Sequence, residues 1–263
     1  MNTHKVPKVL TIAGSDSSCG AGIQADIKTI SALGAYGTCA ITAITAQNTL
    51  GIRSTFEIPA GIVGQQIDAI VTDISADAVK TGMLVNESIV EVVCDKVKKY
   101  NLNKLVIDPI IKSHSGESLL TSEGVKKLCT KLIPISHLVT PNIPEAETLA
   151  KRKINNMNAV KDAAKAIYEL GAENVLIKGG HINNHENEVV DILYDGKTFE
   201  YFREKWIKTD NVHGTGCVYS AAIAAELAKG NDLTNSIRNA KIFLNKTIKS
   251  ALKLGKGHKL ASF

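Results

Sequence analysis

Apolar residues in this chain come in short runs separated by longer stretches of helical period. Residues 8–13 (KVLTIA) form a brief apolar run that ends in Gly14-Ser15-Asp16. A helical pattern follows over about 20–33 and stops at Gly34. Residues 38–45 (TCAITAIT) are β-branched and apolar on both faces, the mark of a strand buried in a parallel sheet. The pattern then predicts a helix over 60–73, a strand over 78–80, a helix over 87–100 and a strand over 104–107. A helix over 122–132, a strand over 137–139, helices over 145–151 and 159–170, and a strand over 174–177 come next. Residues 188–194 and 198–202 flank Asp195-Gly196 and read as a hairpin. An alanine-rich helix over 220–229 and a last helix carrying Ile237, Ala240, Leu244, Ile248 and Ala251 on one face close the pattern.

Strands alternating with helices specify the α/β class. The expected architecture is a mostly parallel, doubly wound sheet with helices on both faces and a β-hairpin in the C-terminal half, in a single domain spanning 1–263. Ligands bind such sheets outside the carboxyl ends of the strands. Those ends carry Asp16, Gln47-Asn48, Met83, Asp108, Asn142 with Glu145, and Lys178-Gly179-Gly180-His181. One polar residue at a strand end is loop filler; six in succession make a functional rim.

Composition narrows the class. An apolar content of 44% with 22% charged residues is that of a globular protein. Aromatic residues make up only 5%, too few for a base-stacking surface, so nucleic acid is not an expected partner. The five cysteines include no C-x-x-C pair, so neither a zinc site nor a disulfide framework is indicated. No apolar run is long enough to span a membrane and the amino terminus lacks signal-peptide architecture, which together make a cytoplasmic location the expectation. The net charge of +5 gathers at the end: no acid follows Asp232, whereas seven basic residues do. These fall mostly between the apolar positions of the last helix and read as its solvated outer face.

The sharpest local signal is Val212-His213-Gly214-Thr215-Gly216-Cys217-Val218-Tyr219-Ser220, a glycine turn feeding directly into a helix. Helix-start N–H groups lack internal partners and carry partial positive charge, so Gly214, Thr215 and Gly216 form a candidate anion site suited to phosphate. Cys217 sits at that helix start, where the helix field is expected to pull its thiol pKa down toward neutrality. Asp108, Asn142 and Glu145 have two open readings. Two carboxylates and an amide suit a Mg²⁺ ion that keeps its waters and bridges phosphates. Asn142 and Glu145 also match a helix capping box. Gly20-Ala21-Gly22-Ile23-Gln24-Ala25 imitates a dinucleotide fingerprint, but Gln47-Asn48 stands where an acidic ribose ligand belongs. No G-x-x-x-x-G-K-[ST] loop is present.

Taken together, these motifs resemble a known family. Residues 11–18 (TIAGSDSS), 20–26 (GAGIQAD), 46–49 (AQNT), 81–84 (TGML), Asp108-Pro109, 140–146 (TPNIPEA), 178–181 (KGGH) and 213–217 (HGTGC) look, in this order, like hydroxymethylpyrimidine/phosphomethylpyrimidine kinases. These form the thiamine-biosynthetic branch of the ribokinase-like superfamily. The resemblance implies a three-layer α/β/α fold and two ATP-dependent phosphorylations, of 4-amino-5-hydroxymethyl-2-methylpyrimidine and then of its monophosphate. It places Gly14, Asp16, Ala21, Asp26, Gln47, Met83 and Ile110 at the pyrimidine. It assigns Lys178, Asn142 and His213 to ATP, and Asp108 and Glu145 to Mg²⁺. Gly214 to Cys217 become the catalytic anion hole, with Cys217 where many superfamily members carry an aspartate base. A homodimer is implied as well, and pyridoxal or pyridoxine is the alternative substrate on this scaffold. The chain departs from the family pattern at Cys19, where glycine is usual, and at Ile111, His114 and Val218.

Overall fold

The computed structural model describes residues 6–113, 116–179, 188–209 and 212–263. His114, Gly180 and His181, singled out in the sequence, lie outside the described residues. The chain begins with β1 (Lys8–Asp16), α1 (Gly22–Ala32), β2 (Tyr36–Asn48), β3 (Gly51–Glu57) and α2 (Ala60–Asp73). It continues through β4 (Ala78–Thr81), α3 (Glu87–Lys99), β5 (Leu105–Ile107) and α4 (Ser122–Lys127), which runs on as a π turn, Leu128–Leu132. Then come β6 (Leu138–Val139), α5 (Ile143–Ala150), α6 (Met157–Tyr168) and β7 (Val175–Ile177). The hairpin β8 (Glu188–Tyr194) and β9 (Phe199–Lys205), then β10 (Val212–His213), α7 (Thr215–Ala228), α8 (Leu233–Lys249) and β11 (Lys259–Leu260) complete the order.

Nine strands form one sheet in the order β3-β2-β1-β4-β5-β6-β7-β8-β9. β2, β1, β4, β5, β6 and β7 run parallel, and β3, β8 and β9 add antiparallel pairs at the two edges. One face packs against α1, α7 and α8 around Ile30, Tyr219, Ile223 and Ile237. The other packs against the helices from α2 to α6 around Ile67, Val93, Leu128 and Ile167. This is the expected three-layer arrangement.

Two expectations change. β2 is not buried on both faces: Thr38, Ala40 and Thr42 are buried while Cys39 and Ile41 between them are only half-buried. Where β3 pairs with it, Ile44 is 49% exposed, and β3 itself buries no residue, so Gly51–Glu57 carries no hydrophobic alternation for a sequence to reveal. The basic face of α8 is also not wholly solvated: Lys241 is buried and ion-paired with Asp191.

Candidate active site

The parallel strands end together, and their carboxyl ends wall one cavity of about 250 Å³. Backbone bonds fix the alignment. The Gly82 amide donates to Ile12, the Asp108 amide to Thr81, and the Thr140 amide to Ile107. An Asn142–Lys178 bridge extends the β6–β7 pairing past the strands, which sets the start of α5 beside Lys178.

At one part of the wall lie the residues expected to hold the acceptor. Gly14, Asp16, Ala21, Gln47, Met83 and Ile110 all line the cavity. Met83 is fixed by the Thr42 hydroxyl, which donates to its carbonyl at 2.6 Å. The Gln47 amide meets the His213 ring at 2.8 Å, and Gln47 Oε1 accepts from Thr45 at 3.1 Å. The resemblance puts His213 with ATP; here its Nε2 stands 2.8 Å from the Gln47 amide nitrogen and 3.2 Å from Asp16 Oδ2, so this one ring atom serves Gln47 as acceptor or Asp16 as donor, according to its tautomer.

Asp16 lines the cavity yet spends its oxygens on its own loop. Its carboxylate accepts from the Ser18 amide at 2.8 Å, the Ser18 hydroxyl at 2.8 Å and the Ala21 amide at 2.9 Å. Burial works against its charge, but hydrogen bonds from His213 and Ser18 outweigh it, and its pKa lies below the usual carboxylate value. The loop that it organises holds Cys19 at a φ of 58°, a left-handed conformation that explains why glycine suits this position.

Asp26 does not reach the wall. It is fully buried beneath it, with Lys80 Nζ at 2.8 and 3.0 Å and the Thr11 hydroxyl donating at 2.6 Å. The resemblance puts Asp26 at the pyrimidine; here its carboxylate is engaged in an internal ion pair and does not line the cavity. Burial opposes the Lys80 ammonium, yet the negative field of Asp26, with Asp108 behind it, holds its pKa above the ordinary lysine value.

The glycine turn singled out in the sequence lies on another part of the same wall. Gly214, Thr215, Gly216 and Cys217 face the cavity at the start of α7, and no side chain caps that helix. The first intrahelical bond is the Val218 amide to Gly214, so the preceding N–H groups are available to an anion. α7 is buried from Cys217 to Leu227, which anchors this end firmly. Gly214 adopts φ 81°, and a Cβ there would lie 1.9 Å from the Gly20 carbonyl oxygen. That residue is glycine for the turn itself. At Gly216 a Cβ would instead point at Lys178 Nζ (3.3 Å) and Asp108 Oδ2 (3.5 Å), both of which line the cavity.

Lys178 donates to Asp108 at 2.8 Å. Ser220, one turn into α7, donates to the other Asp108 oxygen at 3.3 Å. Asn142 and Glu145 form a complete capping box at the start of α5, so the capping reading holds. Both also line the cavity. Burial lifts Glu145 to about 7, with Lys178 pulling it down and Asp108 pushing it up. The expected acidic shift at Cys217 is reversed. The side chain is buried, and desolvation pushes its thiol up to about 11 although Lys80 opposes this.

Sequence reasoning misses Lys80, Ser220 and His258, the last of which joins the cavity wall from the end of the chain. Only Lys80 leaves a signal, a lone lysine in a strand of four buried residues.

Comparison with known proteins identifies the family. Residues 16–262 match the phosphomethylpyrimidine kinase family. The chain is 44% identical over 251 residues to the hydroxymethylpyrimidine/phosphomethylpyrimidine kinase of Bacillus subtilis, covering 95% of this chain and 92% of that protein. It superposes on the ADP complex of Bacillus subtilis pyridoxal kinase with a TM-score of 0.90 at 37% identity, covering 98% of this chain and 97% of that one. Against the phosphomethylpyrimidine kinase of Clostridium difficile the TM-score is 0.82 at 42% identity, with 93% and 100% covered. The resemblance read from the motifs and the ribokinase-like fold it implied are both borne out, and the chain is a phosphotransferase that belongs to the phosphomethylpyrimidine kinase family.

Proposed function

We propose that this chain transfers the γ-phosphoryl group of ATP to 4-amino-5-hydroxymethyl-2-methylpyrimidine and then to the resulting monophosphate. The observation that carries the reading is one cavity with a hydrogen-bonding acceptor wall, Gln47 with His213, and an uncapped helix start beside Lys178 and Asp108. Phosphoryl transfer needs positioning and charge neutralisation more than covalent chemistry, and this cavity supplies both.

In this reading Gln47 presents an amide donor and acceptor to the aminopyrimidine edge, between Met83 and Ile110. The N–H groups of Thr215, Gly216 and Cys217 hold the transferring group, with Lys178 and Asn142 on the ATP phosphates. Among the described residues no group of three His, Cys, Asp or Glu side chains is placed to hold a metal. Asp108 and Glu145 nevertheless offer hard carboxylate oxygens to the one cavity. That donor set fits Mg²⁺, which keeps most of its waters and binds through one or two carboxylates plus phosphate. Asp108 and Glu145 would hold the ion, which supplies charge neutralisation on the phosphates. A thiol at about 11 is protonated at neutral pH, so Cys217 acts as a neutral group beside the acceptor oxygen. A loose transition state asks little of a base there.

Pyridoxal is the second substrate reading, supported by the TM-score of 0.90 to a pyridoxal kinase. A coupled ADP-release assay with the pyrimidine alcohol, its monophosphate and pyridoxal tests both. ADP release with the first two acceptors is expected; release with pyridoxal alone overturns the pyrimidine assignment.

A further inference from the structure

β11 lies outside the central sheet. It pairs in parallel with β10, Val212 opposite Lys259 and His213 opposite Leu260. Leu260 also exchanges both backbone hydrogen bonds with Leu252, at 2.8 and 2.9 Å. The residues just before β11 run along the turn between β2 and β3. There the His258 amide donates to the Thr49 carbonyl at 2.9 Å, and the Gly257 amide donates to Thr49 Oγ1 at 3.1 Å. The approach is close enough that a Cβ at Gly257 would lie 1.8 Å from the Thr49 carbonyl oxygen. On its other side the Leu260 side chain presses on Gly20, where a Cβ would stand 2.6 Å from Leu260 Cδ2.

One short segment therefore grips three separate pieces of the cavity wall. These are the turn after Gln47, the loop that Asp16 organises, and the strand that leads into the anion loop. The hydrophobic core makes no use of it. No residue after Ser250 belongs to either apolar cluster, and Leu254 is 72% exposed. The anion loop has its own anchor in buried α7. The turn beyond Gln47 lacks such an anchor: β3 is exposed and buries nothing. That turn closes on itself at Asn48–Gly51 and Ser17 holds its base at Gln47, while the strap ties its tip at Thr49 to β10; His258 adds a side chain to the wall beside Thr49 and Leu50.

We propose that residues 255–260 are a working part of the acceptor site, a strap that sets the Gln47–Ile52 wall against the anion loop, with His258 as a specificity-determining residue in that wall. The inference rests on the function proposed above. An imidazole carries one donor and one acceptor in its neutral form, so it discriminates among acceptors by their ring substituents. Loosening the strap lets the wall drift while α7 keeps the anion loop in place, so acceptor binding suffers and ATP binding does not.

The test is steady-state kinetics on the full chain, with the pyrimidine alcohol, its monophosphate and pyridoxal as acceptors, beside thermal unfolding. Gly257→Val pushes the strap off Thr49, Leu260→Ala removes its grip on Gly20, and Leu260→Met retains that grip. Gly257→Val and Leu260→Ala are expected to raise acceptor KM by about fivefold or more and ATP KM by less than about twofold, with Leu260→Met close to the parent. His258→Ala is expected to change the ratio of kcat/KM between acceptors by about threefold or more. Unchanged acceptor KM in the first two variants, or equal rises in both KM values with a fall in Tm, would overturn the strap. An unchanged acceptor ratio in His258→Ala removes that residue from specificity. If the parent phosphorylates pyridoxal and not the pyrimidine, the proposed function fails, and the strap is judged on pyridoxal by the same criteria.

Discussion

Replacing Asp26 by Asn separates what the buried charge cluster does for folding from what it does for the site. Both Asp26 and Lys80 are wholly removed from water, and the lysine makes two contacts to the carboxylate, at 2.8 and 3.0 Å. Asp26→Asn leaves the ammonium buried without a counter-charge, which costs about 3–5 kcal/mol. With an unfolding entropy of about 2.1 cal/mol/K per residue over 263 residues, this corresponds to a fall in Tm of about 5–9 °C. Removing both charges at once, as Asp26→Leu with Lys80→Met, is expected to bring stability back to within about 2 kcal/mol of the parent. The Thr11 hydroxyl then loses its acceptor, a cost of about 1–3 kcal/mol within that balance. The double variant nonetheless lacks the cation whose field reaches Cys217 and Asp108. Its kcat is expected to stay about tenfold below the parent, or lower.

Urea and thermal unfolding report the first effect, and steady-state phosphorylation reports the second. One result refutes the reasoning outright: Asp26→Asn with an unchanged Tm and a raised acceptor KM. Asp26 would then meet the acceptor, as the resemblance to the family implies, and the ion pair would be incidental. A double variant as unstable as the single one would show instead that the site is held by shape rather than by charge pairing.

Three further outcomes are expected. Glu145 titrates at about 7 in the fold against 4.5 normally, so it favours the folded state below about pH 4.5 and that contribution, about 3 kcal/mol, is lost as pH rises through about 7. In metal-free buffer Glu145→Gln should therefore flatten the decline in Tm between pH 5 and 8, and an unaltered slope would count against the burial argument. Gly216→Val should fold normally, with Tm within about 3 °C of the parent, yet lose about 100-fold in kcat, whereas Gly214→Ala should lose stability because its Cβ meets the Gly20 carbonyl; near-normal turnover in Gly216→Val would remove the anion hole. For Cys217, a neutral thiol predicts a kcat that is flat in the parent from pH 8 to 9, above the titration of Glu145, and lowered about tenfold by Cys217→Ala at each pH, while a climb of about tenfold per pH unit across that range in the parent would mark the thiolate as the base.

The sequence makes the rim legible because a parallel sheet collects its ligands at the carboxyl ends of consecutive strands. Asp108 and Lys178 each follow a strand of that sheet and so arrive in one cavity, which the Gly214–Cys217 turn joins from β10, outside the sheet. What stays hidden is whatever depends on register or on burial. Cys217 looks activated from its place at a helix start, but its pKa answers to how much water reaches it, and no spacing of residues reports that. β3 and β11 bury too little to leave a pattern, although Gly51 and Ile52 of β3 line the cavity, as do Val212 and His213 of β10 and His258 just before β11. The Lys80–Asp26 pair lies between these extremes. A lysine in a four-residue strand with no exposed face needs a carboxylate within reach, so Lys80 announces a partner. Which carboxylate it takes is decided by the register of β1 on β4, which sets Thr11 opposite Lys80. The same Thr11 hydrogen-bonds Asp26 across from α1. The motif containing Asp26 is thus as much a demand of the sheet interior as of the ligand, and its presence in a sequence does not by itself put that carboxylate in the cavity.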